Sequence, residues 1–291
     1  MRGTTGTGDR PGDVAARIDG RLASLSRAER RVAEVVATDP EAVAFGTVAE
    51  VARRAGTSGA TVVRLAGRLG YGGFVDLQAS VQADLARRLR TAIERTRQPA
   101  PADIVARTLA VELENVDATL QDLDRDAFTR AVALLARRRS SVYVLSGEAS
   151  RGVAIMLAAE LGMLRAGVTL VSGSEVAVAG MLAHAAATDV VVGLDVARYD
   201  RPVVEAVGQA RDRGASVIAI TDSRLSPLAA GASAFFAVAA EGAGPFDSHV
   251  GMLALANAFV SGVTDRLRTT ATARLDQVEA AWKATGALVD G

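Results

Sequence analysis

The sequence predicts an all-α domain at the N-terminus followed by an α/β domain built on a parallel sheet. Three observations predict it. Residues 47–70, TVAEVARRAGTSGATVVRLAGRLG, read as two short amphipathic helices about a glycine. From Ser141 onward, short apolar runs alternate with helical segments, as strands covered on both faces require. Between the two regions stands Gln98-Pro99-Ala100-Pro101, the clearest linker in the chain.

The chain has 291 residues, enough for two cores. The expected division is a disordered polar tail over 1–13, a helical domain over 14–95, a linker over 96–102 and the α/β domain over 103–291. Hydrophobic residues make up 49% and aromatics only 4%, so the cores must be built from Ala, Val and Leu. The chain has no cysteine, which excludes disulfides and thiolate chemistry and fits a reducing cytoplasm. Net charge is zero but uneven: residues 1–98 sum to +5 and the remainder to −5. A basic front end on an acidic body suits contact with nucleic acid through the first domain alone. No secretion signal is evident, and the most apolar run, Val153–Leu164, is too short and, with Glu160, too charged to span a bilayer.

Taken in order, Val14–Leu25 reads as a short helix. Ser26 with Glu29 three residues on forms a capping box, opening a helix to Thr38 that buries Val32, Val35 and Val36. Asp39-Pro40-Glu41 makes a turn and starts another helix. Thr47–Ala55 turns Val48, Val51 and Ala52 inward, and Gly56 breaks the run as a residue with positive φ would. Ser58 is expected to cap the next helix by accepting a backbone N–H. That helix turns Val62, Leu65, Ala66 and Leu69 inward and Gly59, Ala60, Thr61, Arg64 and Arg68 outward. Two helices about a glycine turn make a helix-turn-helix. Tyr71 and Phe74 are read as core aromatics beneath it, and Val75–Arg95 as one long charged helix.

The outward residues suit a DNA duplex. Gly59, Ala60 and Thr61 are small enough for the major groove, and Ser58, Thr61 and Arg64 can donate to base edges or phosphates. Val51–Val75 holds four arginines (Arg53, Arg54, Arg64, Arg68) and no acid, so phosphate is attracted. The DNA-binding candidates are therefore Arg53, Ser58, Gly59, Ala60, Thr61, Arg64 and Arg68. The competing reading is a helical hairpin with a solvated arginine face.

Beyond the linker, Ala102–Leu120 and Asp124–Arg138 read as amphipathic helices, the second ending in the basic triplet Arg137-Arg138-Arg139. Strands are expected at Ser141–Ser146, Val168–Ser172, Asp189–Leu194, Ala215–Thr221 and Ala234–Ala239. Helices are expected near Gly152–Arg165, Glu175–Ala187, Pro202–Arg213 and Ser226–Ala230, then from Ser248 to Arg268 and in a tail holding Trp282. In such a sheet a ligand binds at the C-terminal ends of the strands, at the switch in strand order.

From Leu25 the chain carries LS-x-x-ER, a DPE turn, T-x-AE-x-A, S-x-ATV-x-R and LGY-x-GF. Over about sixty residues this closely resembles the N-terminal domain of the RpiR family of transcriptional regulators. That family joins it to a C-terminal sugar-isomerase (SIS) domain. VYVLSGEASRGVA, DVVVGLD, RGASVIAITDS and SPLA, in that order, resemble an SIS domain over about Ser141–Leu267. The resemblance implies a doubly wound, five-stranded parallel sheet with its switch point between the first and third strands.

Two loops then matter. In Ser146-Gly147-Glu148-Ala149-Ser150-Arg151, Gly147 permits a tight turn and Ser150 opens a helix whose free N–H groups make an anion site. The matching SIS serine holds a sugar phosphate; the other reading of Ser150 is a plain N-cap. The second loop, Leu194 to Arg201, lacks the S-x-S-G-x-T hydroxyls of phosphosugar-binding SIS domains and offers Asp195, Arg198, Tyr199 and Arg201 instead. Arginine can clamp an anion there, or Asp195 and Arg198 can pair with each other. Asp247 or Ser248 caps the last long helix and either can face the pocket. The ligand candidates are Ser146, Gly147, Ser150, Arg151, Asp195, Arg198, Tyr199, Asp247 and Ser248. His184 and His249 have no metal-ligand spacing, so no metal and no cofactor is expected.

A catalytic isomerase needs a placed base, and only Glu148 and Glu241 lie near the pocket. The expectation is a cytoplasmic homodimeric or tetrameric DNA-binding regulator, not an enzyme, sensing a small anionic metabolite such as a sugar phosphate. The alternatives are an SIS-type sugar-phosphate isomerase, or a ligand-independent DNA-binding protein dimerised by its SIS domain.

Overall fold

The computed structural model describes residues 14–89, 92–97, 102–121, 123–224 and 226–287. The expected tail over 1–13 and the linker residues 98–101 lie outside these. The chain divides into two compact units, Met1–Arg90 and Thr91–Gly291.

The first unit is all helical: α1 (Val14–Asp19), α2 (Arg27–Thr38), α3 (Pro40–Phe45), α4 (Val48–Arg54), α5 (Gly59–Arg68) and α6 (Phe74–Leu89). Local chemistry sets most boundaries. Glu29 N–H donates to Ser26 Oγ and Ser26 N–H to Glu29 Oε2, closing the expected capping box. Thr47 and Glu50 do the same for α4. Asp39 caps α3, with Pro40 in its first turn. α3 is only six residues long and is secured from outside: Gln78 Nε2 donates to the carbonyls of Val43 (2.9 Å) and Gly46 (2.8 Å), and Gln82 Nε2 to that of Ala44 (2.6 Å). Val32, Val36, Val43, Val51, Val62, Leu65, Leu69, Leu77 and Val81 are buried together in this unit. Val35 is only half-buried.

One expected helix is interrupted: Val14–Leu25 is α1 followed by a 3-10 turn at Leu22–Ser24, because Gly20 is a poor helix former. Of the expected helix Val75–Arg95, the described residues form α6 and α7 (Ala92–Thr96), the latter in the second unit; residues 90–91 lie outside the described residues.

The second unit continues with α8 (Ile104–Gln121), α9 (Arg125–Leu135), β1 (Val142–Ser146), α10 (Arg151–Leu164), β2 (Val168–Leu170), α11 (Glu175–Leu182), β3 (Val190–Asp195), α12 (Arg201–Asp212), β4 (Ser216–Thr221), β5 (Ala234–Ala237), α13 (Val250–Arg266) and α14 (Arg268–Thr285). All strand pairs are parallel, in the order β2-β1-β3-β4-β5. The chain thus starts in the middle, winds to one edge at β2 and returns through β3 to the other, which places the switch point between β1 and β3. Alternate residues serve two cores. Val190, Val192, Leu194, Ile218 and Ile220 meet α9, α10 and α13, whereas Val191, Val217 and Ala219 meet α11 and α12. Burial on both faces is why these strands are apolar throughout rather than alternating.

Several polar groups inside the fold are matched. Asp189 accepts from the N–H of Ser141 (2.8 Å) and of Ala186 (3.0 Å), tying the starts of β1 and β3. Arg165 is buried and donates to the carbonyls of Leu135 (2.6 Å), Ala166 (2.9 Å) and Ser140; burial lowers its pKa. Asn115 of α8 bonds both backbone groups of Glu241, and Thr119 Oγ1 accepts from Ala239 N–H, fixing the chain after β5. Ser226–Ala230 is a set of turns and not the expected helix: Ser226 Oγ takes the Leu228 N–H, and Gly231 closes the segment at φ 66. The basic triplet Arg137–Arg139 lies beyond the end of α9 and is exposed.

Phe259 is the largest fully buried side chain here, stacked on Phe128 and edge-on to Phe236, each at 5.1 Å. Phe259→Ala is expected to lower the unfolding free energy of this unit by about 3–5 kcal/mol in urea titrations of the full chain; a loss under about 1 kcal/mol would contradict the packing described.

Candidate functional site

In the first unit the candidate surface is α5 with the turn before it. Gly56 has φ 57, the left-handed conformation expected of it, and Arg31 locks the turn by donating to the carbonyls of Ala55 and Gly56, both at 3.0 Å. α5 exposes Ala60, Val63, Arg64, Gly67 and Arg68, a single stripe at spacings of three and four. Three expectations are corrected. Ser58 stands at the N-cap position but makes no side-chain cap bond; its Oγ pairs with Thr61 Oγ1 at 3.1 Å. Thr61 is not on the outer face: it is 4% exposed, because the first turn of α5 packs down on α4, and its Oγ1 accepts from Arg64 at 2.9 Å. Gly59 is half-buried, and a Cβ there would stand 3.0 Å from Val48 Cγ1, so helix approach and not groove depth demands its small size.

The arginines divide into two groups. Arg68 pairs with buried Glu29 (3.1 Å) and donates to the Ser24 carbonyl (2.9 Å), so it fastens α5 to the start of α2. The Ser26 side chain and backbone, aided by Arg68 and Arg64, hold the Glu29 carboxyl below the usual range. Arg54 pairs with Asp39. Arg53 is exposed at the end of α4, and among the described residues Arg64 makes one side-chain hydrogen bond, to Thr61. Val63, 47% exposed between them on the stripe, was not among the sequence candidates; an apolar residue in a polar stripe was the available signal.

In the second unit the candidate site is the C-terminal end of the sheet at the β1/β3 switch. Gly147 N–H donates to the Leu194 carbonyl (3.0 Å), and Glu148 N–H to Asp200 Oδ2 (2.7 Å), so the two loops are stitched together. Asp195 ends β3 at 3% exposure, and its carboxylate occupies the space that a Cβ on residue 147 would need, within 2.5 Å of it. It accepts from the N–H of Val196 (3.0 Å) and of Asp200 (2.7 Å). Burial, then the charges of Asp200 and Asp222, push the Asp195 carboxyl up to about 6. The expected Asp195–Arg198 pair does not form. Arg198 is exposed in the left-handed region at φ 67, so the loop folds back and brings the Asp200 N–H to Asp195 instead of a guanidinium. Tyr199 OH donates to Asp222 Oδ1 (2.7 Å), and Arg201 pairs with Glu205.

Ser150 begins α10 with 0% exposure, makes no cap bond, and its Oγ has no hydrogen-bond partner among the described residues. Ser146 ends β1 half-buried, and Arg151 is exposed and paired with Glu148. Asp247 and Ser248 are engaged elsewhere: Asp247 with Arg95 (2.7 Å) and Ser248 with Glu112 (2.5 Å). His249 follows them with Nε2 buried and unpartnered, and burial lowers its pKa. Asp200 and Asp222 were not sequence candidates; their nearness to Asp195 is set by the loop fold and by β4.

Family comparison agrees with both halves. The model for the helix-turn-helix domain of the rpiR family matches residues 12–88, and that for the SIS domain matches residues 134–262. The chain belongs to the rpiR family. Among curated relatives, the transcriptional regulator HexR of Pseudomonas aeruginosa is 28% identical over 219 residues, 75% of each chain. The sugar isomerase domain of an RpiR transcription factor from Sphaerobacter thermophilus is 31% identical, covering 60% of this chain and 98% of that one at a TM-score of 0.55. Vibrio vulnificus NanR, solved with ManNAc-6P, is 22% identical and covers 94% of this chain and 99% of its own at a TM-score of 0.56, a likeness of fold. The protein is thus a transcriptional regulator with helix-turn-helix and SIS domains. In this chain Asp195 fills the turn at Gly147.

The raised Asp195 pKa has a sign. Between its ordinary value near 3.8 and about 6 the folded chain holds a proton that the unfolded chain has released, so this residue's contribution to stability falls as pH rises through 6. Asp195→Asn removes that slope. The stability difference between the variant and wild type is expected to move in the variant's favour by up to about 3 kcal/mol from pH 4 to 7. Denaturant titrations showing parallel pH profiles would contradict the assignment.

Proposed function

We propose that the protein is a cytoplasmic, metabolite-responsive DNA-binding regulator and not an enzyme. α5 enters the major groove through Ala60, Val63, Arg64 and Gly67; Arg53 meets phosphate, and Ser58 lies at the leading edge. The single observation that carries the DNA reading is this exposed stripe, in which, among the described residues, Arg64 hydrogen-bonds Thr61 and forms no ion pair while Arg54 and Arg68 pair with acids. Val63 can meet a thymine methyl. The effector is a small sugar phosphate or related anion, its anionic group at the N-terminus of α10, supported by the buried and unpartnered Ser150 hydroxyl. The ManNAc-6P bound by NanR is a ligand of that class. A regulator without turnover is favoured because Glu148 and Glu241 are both exposed, Glu148 paired with Arg151 and the Glu241 backbone tied to Asn115.

The working species is a homodimer offering two copies of α5 to a palindromic operator. Its support is α8, where Val105, Leu109 and Leu113 follow at four-residue spacing with 78%, 60% and 62% exposure. Leu109→Glu is expected to shift the chain toward monomer in light scattering; an unchanged mass would place the dimer contact elsewhere.

Selecting bound genomic fragments from the source organism would supply an operator. On it, Arg64→Ala is expected to weaken binding by about 1–3 kcal/mol in gel-shift titrations; full affinity rejects the groove assignment. Ser150→Ala is expected to keep operator affinity and lose the metabolite response. A normal response in that variant rejects the pocket.

A further inference from the structure

The end of the sheet raises a question of ligand chemistry. A phosphate gripped by both loops would need donors from the β3–α12 side. There the N–H groups of Val196 and Asp200 are already bonded to the Asp195 carboxylate, which lies against Gly147. Asp200 and Asp222 add two more carboxylates, and among the described residues no guanidinium forms an ion pair with any of the three. An anion brought to this side meets like charge in a desolvated place, which costs far more than in water. A buried carboxylate with two N–H partners has acceptor capacity left. The Ser150 hydroxyl, wholly buried and without a partner, opens α10 from the turn that contains Gly147. The two sides of this site therefore ask for different things: an anion at the α10 N-terminus and a hydrogen-bond donor, best a cationic one, beside Asp195.

We propose that Asp195 is a specificity-determining residue and that it selects a phosphorylated amino sugar, whose ammonium group faces Asp195 while its phosphate sits at the α10 N-terminus. This rests on the sensor-site reading given above and deepens it. Asp195 acts as an internal anion: it excludes phosphate from the β3–α12 loop and recognises the amine that the parent sugar lacks. Burial, with the Asp200 and Asp222 charges nearby, raises the Asp195 pKa, and a cation placed beside it would oppose that shift.

The test is isothermal titration of the full-length protein at pH 7.5 with glucosamine 6-phosphate and with glucose 6-phosphate, which differ only in amine against hydroxyl. Glucosamine 6-phosphate is expected to bind at least tenfold more tightly. In Asp195→Asn, with circular dichroism and operator affinity as folding controls, that ratio is expected to fall below threefold. Equal binding of the two sugars to wild type, or a ratio that survives Asp195→Asn, overturns the proposal. If neither sugar binds wild type, the sensor-site reading itself is overturned and the proposal with it. Should Asp195→Asn fail its folding controls, Asp222→Asn replaces it; a ratio lowered there supports the proposal, and one unchanged overturns it.

Discussion

The α/β unit depends on one close contact, the Asp195 carboxylate resting on the α-carbon of Gly147. Any side chain at 147 would have to occupy the place of that carboxylate. The contact joins the ends of β1 and β3, the two central strands, and lets Gly147 N–H reach Leu194 and Glu148 N–H reach Asp200. The two loops at the switch point are thereby tied to each other. The loop hydrogen bonds, the exposed Arg198 at positive φ and the start of α12 all follow from where Asp195 sits.

Carboxylates have a different task in the helical unit. Glu29, Asp39 and Glu50 each cap a helix start, and each sits near an arginine. A cap already satisfies backbone donors that would otherwise be left without partners. The added arginine then ties one helix to another: Arg68 joins α5 to α2, and Arg54 joins α4 to the start of α3. What looks in the chain like one basic surface is therefore divided. Arg54 and Arg68 pair with acids, whereas among the described residues Arg53 and Arg64 form no ion pair. An exposed ion pair such as Arg54–Asp39 contributes little stability individually; Arg68 reaches a buried partner, Glu29.

Features set by short-range chemistry were legible in the sequence. The Ser26–Glu29 box, the Asp39-Pro40 start, the Gly56 turn and all five strands follow from spacing and composition, because neighbours within four residues decide them. What depended on tertiary approach was not legible. Thr61 turns inward because α4 lies close to α5, and its hydroxyl then draws Ser58 away from the cap. Asp195 and Arg198 are near enough in sequence to suggest a pair, yet Arg198 itself is left-handed, and the loop brings the Asp200 N–H to Asp195 instead. Asp222 reaches the site from β4, which no local pattern announces. In the same way, Asp247 and Ser248 were read as pocket groups, while Arg95 and Glu112, distant in sequence, take them up.

An internal carboxylate also changes the energetics of sensing. A loop that offers bare N–H groups and hydroxyls to phosphate leaves them to water until ligand arrives, and ordering that loop is then charged against binding. Here the Val196 and Asp200 N–H groups are satisfied by Asp195. The burial of the Asp195 carboxyl is a cost carried by the folded chain. On the proposal made above, a ligand cation beside Asp195 would offset that cost, and an offset present only in the liganded state is differential free energy, the quantity that any shift between two conformations requires. An anion at the same place would add to the cost instead.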